Sequence, residues 1–238
     1  MSSNNSVYIK IELFSEKGKR DNNQDYMLSK IFDDSRSLHM IADGMGGYQN
    51  GRLAAEIVAN TICDHLSQTT CSNTDKTILK AVEIANEKIK EYSLTENIKM
   101  GATIGAAYFA ENTLNIFWVG DVKIIQISQN DIEFESKDHS LINQLKDKKM
   151  NTSAIGLANI KHIVTRSIQG ADDKYQPQIK SLDFAPNDRI MICSDGFLEA
   201  LGTNEIKSVG IIPELTLNKL KERCKSCSDN SSLIVIHI

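Results

Sequence analysis

Five aspartates stand where short apolar runs begin or end. Asp43 closes Leu38-His39-Met40-Ile41-Ala42 and opens the glycine-rich Gly44-Met45-Gly46-Gly47. Asp195 closes Arg189-Ile190-Met191-Ile192-Cys193-Ser194 ahead of Gly196, and Asp121 follows Leu114-Asn115-Ile116-Phe117-Trp118-Val119-Gly120. Asp229, with Asn230, precedes Leu233-Ile234-Val235-Ile236, and Asp25 precedes Tyr26-Met27-Leu28. Carboxylates at strand ends can be gathered at one rim of a sheet, and glycines beside them let backbone approach a ligand closely. With no His or Cys clustered among them, such a set favours hard cations that take oxygen ligands, Mg²⁺ or Mn²⁺, over zinc. Two such ions held about 4 Å apart can bind a water between them, lower its pKa and aim it at phosphorus. Arg20, five residues before Asp25, supplies a planar fork of donors for two phosphate oxygens at once, which a lysine does not match.

The elements that must position these residues follow from periodicity. Val7 to Phe14 alternates, with Val7, Ile9, Ile11 and Leu13 on one face, and reads as a half-buried strand. Tyr26 to Phe32 and Ser37 to Ala42 read as a strand pair joined by Asp33-Asp34-Ser35-Arg36. Leu53 to Leu66 is expected to be a helix with its core stripe on Leu53, Ile57, Ile62 and Leu66, and Thr77 to Tyr92 a second, capped near Asn73-Thr74-Asp75. Four strands are expected at Gly101 to Ala110, Thr113 to Val119, Val122 to Ser128 and Ile132 to Ser136. Their short polar turns, Glu111-Asn112 and Gln129-Asn130-Asp131, predict antiparallel neighbours. Asp138-His139-Ser140 is expected to cap a short helix to about Lys146, followed by a mobile loop from Asp147 to Ile160. Further strands are expected at Ile163 to Ile168, Gln178 to Phe184 and Arg189 to Ser194, and a late helix at Pro213 to Cys227. Strand runs beside helix pairs, without a linker or internal repeat, predict one α+β domain over residues 1–238.

Composition narrows the class of protein. In 238 residues, 27 Lys and Arg stand against 31 Asp and Glu, a formal net charge of −4, so there is no electrostatic footprint for nucleic acid or an anionic membrane. No run nears the roughly 18 apolar residues of a membrane span, and Met1-Ser2-Ser3-Asn4-Asn5-Ser6 lacks a signal-peptide pattern. A cytoplasmic protein without membrane or nucleic-acid partners, and a monomer, is the expectation. Five cysteines, an odd number, fit free thiols better than a disulfide framework.

Read in order, Arg20-Asp21-Asn22-Asn23-Gln24-Asp25, Asp43-Gly44-Met45-Gly46-Gly47, Gly101-Ala102-Thr103, Gly120-Asp121, Asp138-His139-Ser140, Thr165-Arg166-Ser167-Ile168, Ser194-Asp195-Gly196 and Asp229-Asn230 resemble the motifs of the metal-dependent protein phosphatases, the PPM or type 2C family, and most of all its compact bacterial members. The resemblance runs from about residue 8 to the end. It implies a four-layer α-β-β-α sandwich, two stacked antiparallel sheets flanked by helices, with a flap within 141–162. It also implies hydrolysis of phosphoserine and phosphothreonine in proteins by a hydroxide bridging two Mn²⁺ or Mg²⁺ ions. Carried over residue by residue, Asp43 bridges the two metals and the Gly44 carbonyl joins one of them. Asp195 and Asp229 bind the other, Asp25 lies in the first or water-mediated shell on the Gly44 side, Asp121 with Asp195 forms a weaker third site, and Arg20 grips the substrate phosphate. A cognate serine/threonine kinase is the partner such a protein commonly opposes, and substrate choice is expected to lie in the loop from Asp147 to Ile160.

This sequence departs from the pattern in three places. Val122-Lys123 replaces a frequent Ser-Arg, Met45 stands where many eukaryotic members have a proton-donating His, and Gln24 replaces a frequent Glu. A catalytically inactive relative that binds phosphoproteins or regulates a kinase is the alternative, and it would be expected to lack metal aspartates that are all present here. A nucleotide hydrolase is a weaker one: Gly46-Gly47-Tyr48-Gln49-Asn50-Gly51 mimics phosphate-loop glycine spacing, but Arg52 and Leu53 stand where Lys and Ser or Thr are needed. Asp138-His139-Ser140 is too compact to be a hydrolase triad. Cys224-Lys225-Ser226-Cys227 has no second pair to complete a zinc site, so its role is expected to be structural.

Overall fold

The computed structural model describes residues 10–46, 48–69, 73–110, 113–129, 131–149, 160, 163–201, 205–206 and 214–238. Among these residues, ten strands form two five-stranded sheets in which every pairing is antiparallel. One sheet orders β2 (Asp25–Asp33), β3 (Arg36–Met45), β4 (Gly101–Ala110), β5 (Thr113–Val119) and β8 (Gln178–Leu182) side by side. The other orders β1 (Lys10–Glu16), β10 (Ser231–His237), β9 (Arg189–Cys193), β6 (Lys123–Ser128) and β7 (Asp131–Glu135).

Three apolar clusters hold the layers together. Ile41, Ile116, Trp118, Ile124, Ile192 and Ile234 interdigitate between the sheets. Outside the first sheet, α1 (Tyr48–Gln68) and α2 (Thr74–Glu96) pack on Met40, Ala42, Ile104 and Phe117. Outside the second, Phe197 of α4 (Asp195–Ala200) and Leu220 and Cys224 of α5 (Glu214–Cys224) cover Phe14, Met191 and Val235. The architecture is therefore the expected α+β sandwich, helix on sheet on sheet on helix.

The local expectations fare unevenly. Asn73 caps α2, its side chain accepting from the Lys76 N–H at 3.0 Å, and Ser140 caps the short α3 (Leu141–Asp147), its side chain accepting from the Asn143 N–H. In α1 the buried face runs through Ala54, Ala55, Val58, Ala59, Ile62, Cys63 and Leu66, while Leu53 and Ile57 are only partly covered. The alanines, not the larger residues, let this helix lie close to the sheet. Leu13 is 48% exposed and Phe14 is buried, so β1 points its larger anchor at the helices rather than between the sheets. Strands β4 and β5 pair, as do β6 and β7, but β5 and β6 belong to different sheets. The Gly120-Asp121 step between them is a crossover and not a hairpin. Ile163 to Ile168 makes only isolated bridges, Ser140 to Val164 and Ala102 to Ile168. Most of the expected mobile loop and flap, residues 150–159 and 161–162, lies outside the described residues; of the stretch 141–149, α3 forms the greater part.

Candidate metal centre

The sheets bring the aspartates together. In the β2–β3 pair Asp25 stands directly opposite Asp43, and Asp43 in turn stands opposite Thr103 on β4. Asp121 arrives on the crossover after β5, Asp195 on the first turn of α4 just beyond β9, and Asp229 two residues before β10. Arg20, Asp43, Gly44, Asp121, Asp195 and Asp229 line one cavity of about 650 Å³. Asp25 is buried beside it, 1% exposed. All seven residues singled out in the sequence therefore meet, although 209 positions separate Arg20 from Asp229.

Close backbone approach explains the glycines. A Cβ built on Gly44 would lie 1.9 Å from the Gly51 carbonyl oxygen, and one on Gly196 would lie 2.2 Å from the Asn230 carbonyl oxygen. Only a residue without a side chain lets the start of α1 pack on the Asp43 turn and α4 pack on the Asp229 turn.

The electrostatics of the cavity call for positive charge. Burial first, and then the charges of Asp25, Asp195, Asp121 and Asp229, hold the Asp43 carboxyl well above the usual carboxylate range. Burial, joined by the charge of Asp195, pushes Asp25 up to about 6, even though Ser232 donates to its Oδ2 at 2.7 Å. Burial and Asp195 lift Asp121 to about 6 as well. The other oxygen of Asp25, Oδ1, is buried with no hydrogen-bond partner among the described residues. Like charges sharing a desolvated site raise one another's pKa, and a cation reverses that penalty. The donor set is all oxygen, which suits Mg²⁺ or Mn²⁺. The residues thus fit such ions in kind, although no three His, Cys, Asp or Glu among the described residues form a ready-made coordination group.

Arg20 shares the rim with them. One terminal nitrogen donates to Asp229 Oδ2 at 2.6 Å, the side chain is 59% exposed, and no other bond to the guanidinium is present among the described residues. Its remaining donors are thus accessible at the rim.

Supporting residues that the sequence reading had left without a role become visible here. Asn230, 6% exposed, accepts from the Gln24 N–H at 2.8 Å and donates to the Lys17 and Asn22 carbonyls at 2.8 and 3.0 Å. It ties the Arg20 loop to the Asp229 turn. Ser194, wholly buried, accepts from the Ser232 N–H at 2.9 Å and so joins β9 to β10 beside Asp195. Glu199 also lines the cavity. Its place four residues after Asp195 puts it on the same helix face, a spacing that was available in the sequence.

The motifs set aside have structural partners. His139 accepts from the Gly120 N–H at 3.0 Å through Nδ1, bonds Gln178 through Nε2 at 3.1 Å and stacks on Trp118. Burial and the charge of Arg166 lower its pKa to about 4; its neutral ring anchors the crossover that carries Asp121. Asp138 pairs with Lys123, which also donates to the Ser136 carbonyl at 2.8 Å. That buried lysine is what this chain uses at the Val122-Lys123 departure. Arg52 is turned away from the cavity, bonding Glu56 and the Asp25 carbonyl with its guanidinium over Tyr26. Cys224 is a buried thiol pushed up to about 12, chiefly by burial.

Residues 15–230 match the family model for protein phosphatase 2C. The chain belongs to the protein phosphatase 2C family. The phosphatase PhpP of Streptococcus pneumoniae is 28% identical over 207 residues, 84% of each chain, and the serine/threonine phosphatase stp of Listeria monocytogenes is 27% identical over 74% of this chain and 72% of its own. Among solved structures, the Streptococcus agalactiae serine/threonine phosphatase superposes with a TM-score of 0.87 at 26% identity, covering 97% of this chain and all of that one. The catalytic domain of the phosphatase PstP in complex with two manganese ions shares the fold, with a TM-score of 0.80 at 23% identity over 96% of this chain and 97% of that one. This protein phosphatase has, among its described residues, no helix long and apolar enough to cross a membrane.

Proposed function

We propose that this protein phosphatase hydrolyses phosphoserine and phosphothreonine in proteins, with metal ions held by Asp25, Asp43, Asp195 and Asp229 and the Gly44 carbonyl. Asp43 would serve both of two ions, and Asp121 with Asp195 would hold a weaker third. The observation that carries this reading is the convergence of these carboxylates, from both sheets, on one cavity with Arg20 at its rim. Manganese bound to a relative of the same fold supports the choice of ion. When bound, Mn²⁺ or Mg²⁺ supplies an activated water for direct in-line attack on phosphorus and neutralises charge on the phosphoryl oxygens. Arg20 contributes its exposed donors to the substrate phosphate, a charge-assisted contact that orients the phosphorus. Asn230 keeps the Arg20 loop and Asp229 in register, and Ser232 fixes one oxygen of Asp25, while the other has no hydrogen-bond partner among the described residues. The side chain at position 45, a methionine on the cavity wall, cannot donate a proton to the leaving alkoxide. A serine/threonine kinase that places these phosphates is the partner this reading implies.

The test is phosphate release from phosphoserine, phosphothreonine and phosphotyrosine peptides in Mn²⁺, in Mg²⁺ and in excess chelator. Turnover of the first two that chelator abolishes and fresh metal restores is expected. Folded protein that releases no phosphate with either ion would favour the inactive, phosphoprotein-binding alternative.

A further inference from the structure

A second cavity, of about 940 Å³, adjoins the acidic one and shares Met45 and Val164 with it. The two differ in sign. Around the acidic cavity Arg20 is the single cation among the described lining residues, against Asp43, Asp121, Asp195, Glu199 and Asp229. The charged residues lining the neighbouring groove are Lys99 and Lys174, with no carboxylate among those described, and Ile98 and Met100 are among its apolar lining residues. Both lysines are exposed, and neither makes an ion pair among the described residues. The Asp172 carboxylate on the same loop as Lys174 is already engaged by Lys90 at 3.0 Å.

The groove is built from the backbone that holds the candidate metal residues. Gly46, two positions after Gly44, packs so closely on the Lys99-Met100 backbone that a Cβ there would lie 2.9 Å from the Lys99 carbonyl oxygen. On the other wall, Ile168 exchanges two hydrogen bonds with Ala102, the β4 residue opposite Gly44, and the Ser167 N–H donates to the Lys174 carbonyl at 3.0 Å. Buried Asn86 then clamps the loop to α2, accepting from the Gly170 N–H at 2.8 Å and donating to the Ala171 carbonyl at 3.1 Å. Both lysines therefore hang from segments fixed relative to the site.

We propose that this groove receives the polypeptide flanking the phosphorylated residue, and that Lys99 and Lys174 select flanks carrying Asp or Glu. The proposal rests on the phosphatase reading above. A substrate whose phosphate reaches the metal site must pass its chain over the cavity edge, and the edge at Met45 and Val164 opens into surface of complementary charge. The lysines bind flanking carboxylates and take no part in the chemistry at phosphorus.

The test compares phosphothreonine peptides with acidic residues before, after or on neither side of the phosphoresidue, using wild-type protein and the double variants Lys99→Ala/Lys174→Ala and Lys99→Glu/Lys174→Glu. Exposed ion pairs are individually weak, so the preference expected in kcat/KM is about three- to tenfold for two lysines, shrinking as salt is raised. The alanine variant should lose this preference through KM, the glutamate variant should invert it, and both should hydrolyse p-nitrophenyl phosphate, which has no flanking chain, at the wild-type rate. Fluorescence anisotropy of the same peptides gives a second readout that does not need turnover. A wild-type enzyme indifferent to flanking charge, or a preference that survives charge reversal, would overturn the groove assignment while leaving the phosphatase reading intact. Selective binding without any phosphate release would support the groove and strike the phosphatase reading instead.

Discussion

Replacing Asn230 with alanine removes three hydrogen bonds from a site that is 6% exposed: one accepted from the Gln24 N–H and two donated to the Lys17 and Asn22 carbonyls. Each buried bond contributes on the order of 1 kcal/mol net, and main-chain groups left unsatisfied add to the loss. The total is about 3 kcal/mol, which in a chain of this size lowers Tm by roughly 6–12 °C. Asn230→Asp should cost at least as much. It keeps the acceptor for Gln24 but turns an anionic oxygen toward two carbonyls, next to Asp229. Because the same bonds fix the Arg20 loop against the Asp229 turn, both variants should also bind Mn²⁺ more weakly and show a raised KM. The assays are calorimetric melting in chelator and Mn²⁺ titration followed by peptide hydrolysis. A loss of less than about 1 kcal/mol in chelator for Asn230→Ala, with unchanged Mn²⁺ affinity, would refute the idea that this side chain holds the two segments together.

Three shorter predictions follow from the same geometry. Burial, with the charge of Asp195, raises Asp25 and Asp121 from near 3.8 to about 6, so in chelator their contribution to stability is fully present below the ordinary carboxylate range and is lost as pH rises through about 6. For Asp25 alone this is roughly 3 kcal/mol; Tm in chelator should fall between pH 4 and 7, saturating Mn²⁺ should flatten the fall, and a flat profile in chelator would count against the crowded carboxylates. Gly44→Ala places a Cβ 1.9 Å from the Gly51 oxygen, so β3 and α1 must part at a cost of about 3 kcal/mol or somewhat less, with Mn²⁺ affinity falling in a calorimetric titration; wild-type affinity in this variant would argue against the close approach. Lys123→Ala leaves Asp138 without its ion-pair partner and the Ser136 carbonyl without its donor, a loss of about 3 kcal/mol readable by urea unfolding, and unchanged stability would mean the pair contributes nothing.

Much of the fold was legible because it depends on local chemistry. Short apolar runs joined by polar turns marked β2, β3, β4 and β5, and side-chain caps at Asn73 and Ser140 fixed where α2 and α3 begin. The site was legible for a different reason: each aspartate follows or precedes an apolar strand, four of the five beside glycine or asparagine, so its place at a sheet rim could be read without knowing the topology. What escaped depends on long-range packing. Nothing in Gly120-Asp121 distinguishes a hairpin from a step between sheets; His139 and Trp118, which hold that step, come together only in the folded chain. In α1, Ala54, Ala55 and Ala59 take the place expected of Leu53 and Ile57 against the sheet, while Ile62 and Leu66 of the expected stripe are buried. Val164 and Ile168 make single bridges because Ser140 and Ala102 offer them one partner position each. Asn230 was visible as part of a motif, but its three partners lie more than 200 positions away.

The most direct test of the account is to measure Mn²⁺ binding and phosphate release on the same samples of wild-type protein and Asp43→Asn. Because Asp43 stands opposite Asp25 and in the cavity shared by Asp121, Asp195 and Asp229, the account predicts two bound ions and metal-dependent turnover in the wild type. It predicts loss of tight binding and of turnover in a variant that remains folded. Folded Asp43→Asn protein that binds Mn²⁺ as tightly as wild type and still releases phosphate would contradict it.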